Sequence, residues 1–195
     1  MSDNDDDEWF TICDEKNIVL KKNDTNMYKI TFNISMKNKE DTVLNILKNG
    51  QLFELLSALN PDVIETVDVN EHGDIHDVFM SFKNNKKNDD GEDNDNDHAD
   101  KIVHVFFSIK YSFGENKCVV KSKRNSDDND NQVSKIKNGK EFIPVSKIKL
   151  IAVEKNNKTS MCLTFKIDKK VSNIVNMYVG LYFKKIFYRF KQYFE

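Results

Sequence analysis

Two histidines and one aspartate are the side chains in this sequence best suited to acid–base chemistry. His76 and Asp77 are neighbours, and His104 lies in a later apolar segment. An imidazole titrates near neutral pH, so it can act as a general acid or base when it faces a pocket. Strand alternation predicts that His76 shares a face with Val78 and Met80, whereas His104 lies on the opposite face. No nucleophile and base pair is recognisable here, and the sequence predicts a protein that is not an enzyme.

The cysteines and histidines also lack the spacing of a metal site. Cys13, Cys118 and Cys162 are far apart in the sequence, and no Cys-x-x-Cys or His-Glu-x-x-His motif occurs. We expect three free thiols that pack as small hydrophobic side chains in a reducing compartment. Residues 1–8 are acidic without an apolar stretch, which argues against a secretory signal and predicts a cytoplasmic location. Neither a metal nor a cofactor is predicted.

The overall composition predicts one folded domain. The 195 residues are 38% hydrophobic and 32% charged, which is enough apolar material to form a core. A formal net charge of −2 disfavours a protein whose main partner is nucleic acid. No run of about 18 apolar residues occurs, so the sequence predicts no transmembrane helix.

Three strongly polar segments interrupt this composition. They carry few large apolar side chains, so they cannot bury enough surface to offset the entropy of ordering. We therefore predict an acidic disordered tail at residues 1–8 and polar loop insertions at about residues 84–100 and 124–140. The remaining chain, residues 9–195, is predicted to form a single domain.

Alternating apolar and polar residues predict about seven strands that pair mostly antiparallel. The clearest is residues 27–36, where every second side chain is apolar. Residues 103–113 form an unusually long alternating segment, which suggests a strongly curved sheet. Short turns join neighbouring segments into hairpins. The other predicted strands are residues 18–21, 75–82, 117–123, 147–153 and 161–167.

Three segments have helical rather than alternating patterns. Residues 41–48 and 51–58 are predicted to form two short helices after the second strand, with Asn60-Pro61 ending the second helix. Residues 171–194 contain no proline and predict one long C-terminal helix. Its aromatic side chains fall in one arc of the helical wheel, opposite a basic side. That basic side contains Lys184, Lys185, Arg189 and Lys191.

This order of elements predicts an α+β fold in which a curved antiparallel sheet wraps around the C-terminal helix. Only that helix is long enough to cover the concave apolar face of the sheet. A straight helix rarely fills the space against a curved sheet, so we expect an apolar cavity between them. The candidate ligand-binding residues that line it are Met80, Phe82, Phe107, Ile109, Tyr111, Leu163, Phe165, Tyr178, Leu181 and Tyr182.

Several segments resemble the START-like, or Bet v 1-like, helix-grip superfamily, and the order of elements resembles START lipid-transfer domains. Trp9 precedes the first predicted strand, and residues 77–83 read DVFMSFK. Residues 104–111 form the next long strand, and the hairpin that follows ends at residues 121–123. Residues 142–145 read FIPV and resemble the proline-containing entry to the last two strands. The resemblance spans nearly the whole chain and implies a helix-grip fold.

Two functions are compatible with these patterns. The resemblance implies binding of a lipid or other large apolar molecule in the cavity, with intracellular transfer as a further task. The alternative is a protein-interaction module whose pocket is vestigial and filled by side chains. The basic side of the last helix is either a solvated surface or a place of transient contact with anionic membrane. The sequence leaves the ligand, the protein partners and the oligomeric state open.

Overall fold

The computed structural model describes residues 8–37, 42–83, 103–122, 135–137, 140–167 and 173–195. Within these ranges the chain forms ten strands and three helices. In chain order they are β1 (Trp9–Glu15), β2 (Ile18–Asn23), β3 (Met27–Ser35), α1 (Val43–Lys48), α2 (Leu52–Leu59), β4 (Ile64–His72), β5 (Ile75–Phe82), β6 (Val103–Phe113), β7 (Lys117–Ser122), β8 (Lys135–Lys137), β9 (Lys140–Lys155), β10 (Lys158–Ile167) and α3 (Asn173–Phe194).

Nine of these strands follow one another across a single sheet. Their order is β1-β2-β3-β10-β9-β7-β6-β5-β4, and neighbours in this order are antiparallel. The short β8 pairs with β9. Beyond β7, the first part of β9 runs beside β6 in parallel, where Val105 faces Ile143. Among the described strands, β1 and β4 are the edges of the sheet.

The helices cover one face of this sheet, which we call the inner face. On β3, Tyr28, Ile30 and Ile34 are each 0% exposed, because the alternating side chains of this strand point toward the helices. Helix α3 packs on β1, β2, β3 and α2. Phe187 of α3 contacts Phe32 with ring centroids 5.3 Å apart. This packing confirms the predicted α+β arrangement of an antiparallel sheet and a long C-terminal helix.

Helices α1 and α2 cover the part of the inner face that α3 does not. Helix α1 packs on β7 and β9, and α2 packs on β4. Thr42 is the N-cap of α1, since its Oγ1 accepts a hydrogen bond of 3.2 Å from the backbone N–H of Asn45. Gly50 then turns the chain with a φ of +69°, a conformation that favours glycine. Helices α1 and α2 therefore share the covering of the inner face with the long helix α3.

The structure differs from the sequence-based fold in several details. It has more strands than the predicted seven, and the short helices follow the third strand rather than the second. The periodicity missed β1 and β4, because edge strands bury only part of each face and lose their alternation. Part of the second predicted loop forms β8. The predicted tail through residue 7 and the loop at residues 84–100 lie outside the described residues.

Candidate functional site

Apolar side chains that face inward but remain half-buried mark one end of the inner face. Phe82 ends β5, Val105 and Phe107 lie on β6, and Leu163 lies on β10. Their cross-strand partners place them on the inner face, since Val105 pairs with Met80, which is 6% exposed. All four contact the hydrophobic core yet retain solvent-accessible surface. Elsewhere inward-facing side chains such as those of Ile18, Ile34 and Val43 are 0–1% exposed.

Helix α3 meets this end of the sheet through Tyr182 and Phe183. The hydroxyl of Tyr182 donates a hydrogen bond of 3.1 Å to the carbonyl oxygen of Lys83, just after β5. The ring of Phe183 lies 4.7 Å from that of Phe165 on β10. Both α3 side chains are half-buried. These two contacts bring α3 to the edge of the region that Phe82, Val105, Phe107 and Leu163 line from the sheet.

The ten residues predicted to line a cavity occupy three kinds of position. Met80, Ile109 and Phe165 are buried in the core, at 6%, 1% and 4% exposure. Tyr178 and Leu181 belong to α3, but their side chains lie outside the described part of the structure. The half-buried members are Phe82, Phe107, Tyr111, Leu163 and Tyr182.

Two residues of this region were missing from the predicted set. Val105 shares the inner face of β6 with Phe107, so the same alternation could have identified it. Phe183 falls in the aromatic arc of α3, and its position next to Phe165 depends on how the helix lies on the sheet. The pattern of the sequence contained both signals.

A cluster of polar side chains, His76, Tyr111 and Glu71, lies at the opposite end of the inner face, near the hairpin between β4 and β5. The rings of His76 and Tyr111 meet edge to face, with centroids 5.0 Å apart. His76 Nδ1 lies 3.5 Å from Glu71 Oε1. Burial raises the pKa of Tyr111 far above its usual value, and the nearby Cys118 and Glu71 add to the effect. Tyr111 is therefore a neutral hydroxyl at physiological pH.

The acid–base candidates lie on two different faces of the sheet. His76 lies on the inner face and His104 on the outer face, as alternation predicted. The Oγ of Ser81 lies 2.7 Å from His104 Nδ1, but Ser81 is only 1% exposed, so its hydroxyl is closed to a substrate. Asp77 instead accepts a hydrogen bond from Ser108. Among the residues described, no group of three or more histidine, cysteine or acidic side chains could hold a metal ion.

The basic residues of α3 form ion pairs within the protein. Lys185 and Arg189 both pair with Asp62, in the turn between α2 and β4. Their hydrogen bonds hold the pKa of Asp62 well below its usual value. The other two basic residues predicted to touch a membrane are also paired, Lys184 with Glu15 and Lys191 with Glu195. The pairs with Glu15 and Asp62 hold α3 against β1 and the turn after α2, whereas Lys191 and Glu195 are four residues apart at the end of the chain segment that forms α3.

None of the described helices is both long enough and apolar enough to span a bilayer. Helix α3 meets the length requirement, but its second half contains the basic residues paired with Glu15 and Asp62.

Comparisons with known proteins find the fold but no related sequence. No protein-family model matches the chain, and no curated protein matches it. Among solved structures, human StAR-related lipid transfer protein 5 aligns with a TM-score of 0.60 and 8% identity over 98% of this chain and 88% of that one. The lipid transfer and protein localization domain of human StarD13 gives 0.58 and 11% over 97% and 90%. Human STARD10 gives 0.57 and 9% over 93% and 72%. This chain therefore has the START-like helix-grip fold.

Proposed function

We propose that this protein binds a lipid or another large apolar molecule between the inner face of the sheet and α3. The observation that carries the proposal is the set of inward-facing, half-buried apolar side chains at one end of that face, including Phe82, Phe107 and Leu163. These side chains face the protein interior but keep part of their apolar surface accessible. An apolar ligand would bury that surface. Covering about 300 Å² of apolar surface would contribute about 7.5 kcal/mol. The fold shared with lipid-transfer structures supports the same assignment.

Exchange of such a ligand would require α3 to shift away from the sheet. The hydrogen bond from Tyr182 to Lys83 and the pairs of α3 with Glu15 and Asp62 oppose this movement. Exposed pairs of this kind each contribute about 1 kcal/mol or less, so thermal motion can break them. We propose that α3 acts as the cover of the site and that transfer between membranes is the task.

A second function is supported by the other half of the interior. Val43 and Leu47 of α1 are 0% and 1% exposed, and Phe190 of α3 is 0% exposed. There the space between helices and sheet is filled by side chains. If the half-buried end were filled in the same way, the protein would serve as an interaction module with a vestigial pocket.

The test is a binding assay with fluorescent analogues of a fatty acid, a sterol and a phospholipid. We expect saturable binding of at least one probe to the wild-type protein. Leu163→Trp should abolish it, because the indole would occupy the space that the ligand needs. Ile151→Trp is the matched control, since Ile151 lies on the adjacent strand β9 and faces the outer side of the sheet.

The outcomes separate the two functions. Saturable binding that Leu163→Trp removes and Ile151→Trp retains supports a ligand site on the inner face. A folded wild-type protein that binds none of the three probes would favour the interaction module. Circular dichroism of both variants controls for unfolding.

A further inference from the structure

One row of lysine side chains crosses the outer face of the sheet, opposite the helices. On each strand the row occupies a position that alternates with buried residues, so its side chains point away from the core. The strand registers place its members directly opposite one another on neighbouring strands. The row holds five lysines and one threonine, and we call it the lysine row. In spatial order it comprises Lys21 of β2, Lys29 of β3, Thr164 of β10, Lys149 of β9, Lys121 of β7 and Lys110 of β6.

The lysine row holds positive charges close together with little compensation. Neighbouring strands lie about 4.8 Å apart, and like charges directly opposite each other destabilise a sheet. Lys110 pairs with Asp74, and Lys29 lies 5.7 Å from the centre of the Trp9 ring. For Lys21, Lys121 and Lys149, the described residues supply no ion pair. Among the described residues, the positive charge of these three lysines is therefore not neutralised.

The surface beside the lysine row is apolar and carries two shallow depressions. The next row toward the β9–β10 hairpin contains Val19, Ile151 and Val119. One depression of about 520 Å³ opens over Val19 and Ile151. The other, of about 530 Å³, is lined in part by Lys110, Lys121, Ser112 and Ser122. Ammonium and hydroxyl donors thus lie next to half-buried apolar side chains.

We propose that this outer face docks on the surface of an anionic lipid bilayer. Lysine suits a layer of headgroups, because its charge sits at the end of a flexible stem and needs no fixed geometry. The six positions of the lysine row include no aromatic side chain on which nucleic-acid bases could stack, and the neighbouring Trp9 ring already lies 5.7 Å from the Lys29 ammonium. Its strands are hydrogen-bonded on both sides, so an acidic peptide could not add there as a further strand. The positive charge of the row complements an anionic bilayer, and the two preceding observations disfavour nucleic acid and an acidic peptide.

This docking surface differs from the basic side of α3. Lys184, Lys185 and Arg189 are paired with acidic side chains, so a membrane would have to break those pairs. At Lys21, Lys121 and Lys149 no ion pair with another described residue would have to break. The inference also does not depend on a ligand site on the inner face, so either proposal can fail without the other.

The experiment is sedimentation of the protein with vesicles of phosphatidylcholine, with and without about 30% phosphatidylserine. We expect binding only to the anionic vesicles, and its loss when the salt concentration is raised from about 0.1 M to about 1 M. Each lysine near an anionic surface strengthens binding about fivefold. The triple variant Lys21→Gln, Lys121→Gln, Lys149→Gln should therefore weaken binding on the order of 100-fold.

The matched control removes three lysines from the helix side of the molecule. The ammonium of Lys16 lies over the Tyr188 ring of α3, and Lys48 is the last residue of α1. The backbone N–H of Lys37 donates a hydrogen bond to the carbonyl oxygen of Phe194. Lys16→Gln, Lys37→Gln, Lys48→Gln lowers the net charge equally and should change vesicle binding by less than about tenfold.

Three results would overturn docking by the outer face. They are no binding to anionic vesicles, equal weakening by the two triple variants, and tighter binding to poly-glutamate or poly-uridine than to the vesicles.

Discussion

Cys118 shows how position alone sets the chemistry of a residue. It is 0% exposed on β7, and burial raises the pKa of its thiol to about 11. The thiolate is the reactive form, so the folded protein should protect this cysteine at neutral pH. Cys13 and Cys162 are half-buried and should react earlier.

Thiol labelling followed by mass spectrometry measures this difference. At pH 8 we expect iodoacetamide to modify Cys13 or Cys162 in the native protein and to modify Cys118 only when denaturant unfolds it. Labelling of Cys118 at the rate of the other two in the native state would contradict its burial beneath α1.

Asp62 is the residue through which α3 is held to the turn after α2. Its pKa is lowered in the folded state, so its contribution to stability is present above its unfolded value near 4 and is lost as the pH falls below it. Asp62→Asn should destabilise the protein at pH 7 by about 1 kcal/mol or less, because the carboxylate is partly exposed. The variant should also lose less stability than the wild type between pH 5 and about pH 2.

Urea unfolding of both proteins across this pH range is the measurement. Identical changes in the free energy of unfolding would show that the pairs of Asp62 with Lys185 and Arg189 do not stabilise the fold.

At the scale of elements, the lysine row makes a prediction about sheet stability. Lys121 of β7 lies directly between Lys110 and Lys149. Lys121→Glu replaces two repulsive cross-strand pairs by attractive ones and should stabilise the protein by about 0.5 kcal/mol. Lys117→Glu on the same strand is the control, because its partner on β9 is Val153.

Chemical denaturation in low salt compares the two variants. A higher midpoint for Lys121→Glu than for Lys117→Glu is expected, and the difference should shrink in about 1 M salt. Equal midpoints would mean that the register does not bring the lysines together.

The elements that the sequence predicted best are those with one buried face. Residues 27–36 and 103–113 alternate clearly, and both are strands of the interior of the sheet. The edge strand β1 was missed because its exposed residues break the alternation. The lysine row could not be predicted at all, since its members come from six strands and align only through their pairing. The same holds for Asp62, which meets Arg189 across 127 positions of sequence.

At the scale of the whole molecule, the order of elements predicted the START-like fold that the solved structures confirm. The candidate site was predictable only in part. Alternation identified which side chains of β5, β6 and β10 face inward, but not which of them the helices would cover. Ile109 is 1% exposed, whereas Phe107 on the same face of β6 is half-buried. Phe53 of α2 lies beside Phe107, with ring centroids 5.6 Å apart, and still leaves it half-buried, which alternation along β6 does not predict.

Photo-crosslinking with a diazirine-bearing fatty acid or phospholipid tests the ligand site most directly. Peptide mapping of the adducts should locate the probe on inner-face residues of β5, β6 and β10, near Phe82, Phe107 and Leu163, and excess unlabelled lipid should prevent the reaction. Adducts confined to outer-face residues such as Val19 and Ile151, or a yield that unlabelled lipid does not reduce, would contradict a lipid site beneath α3.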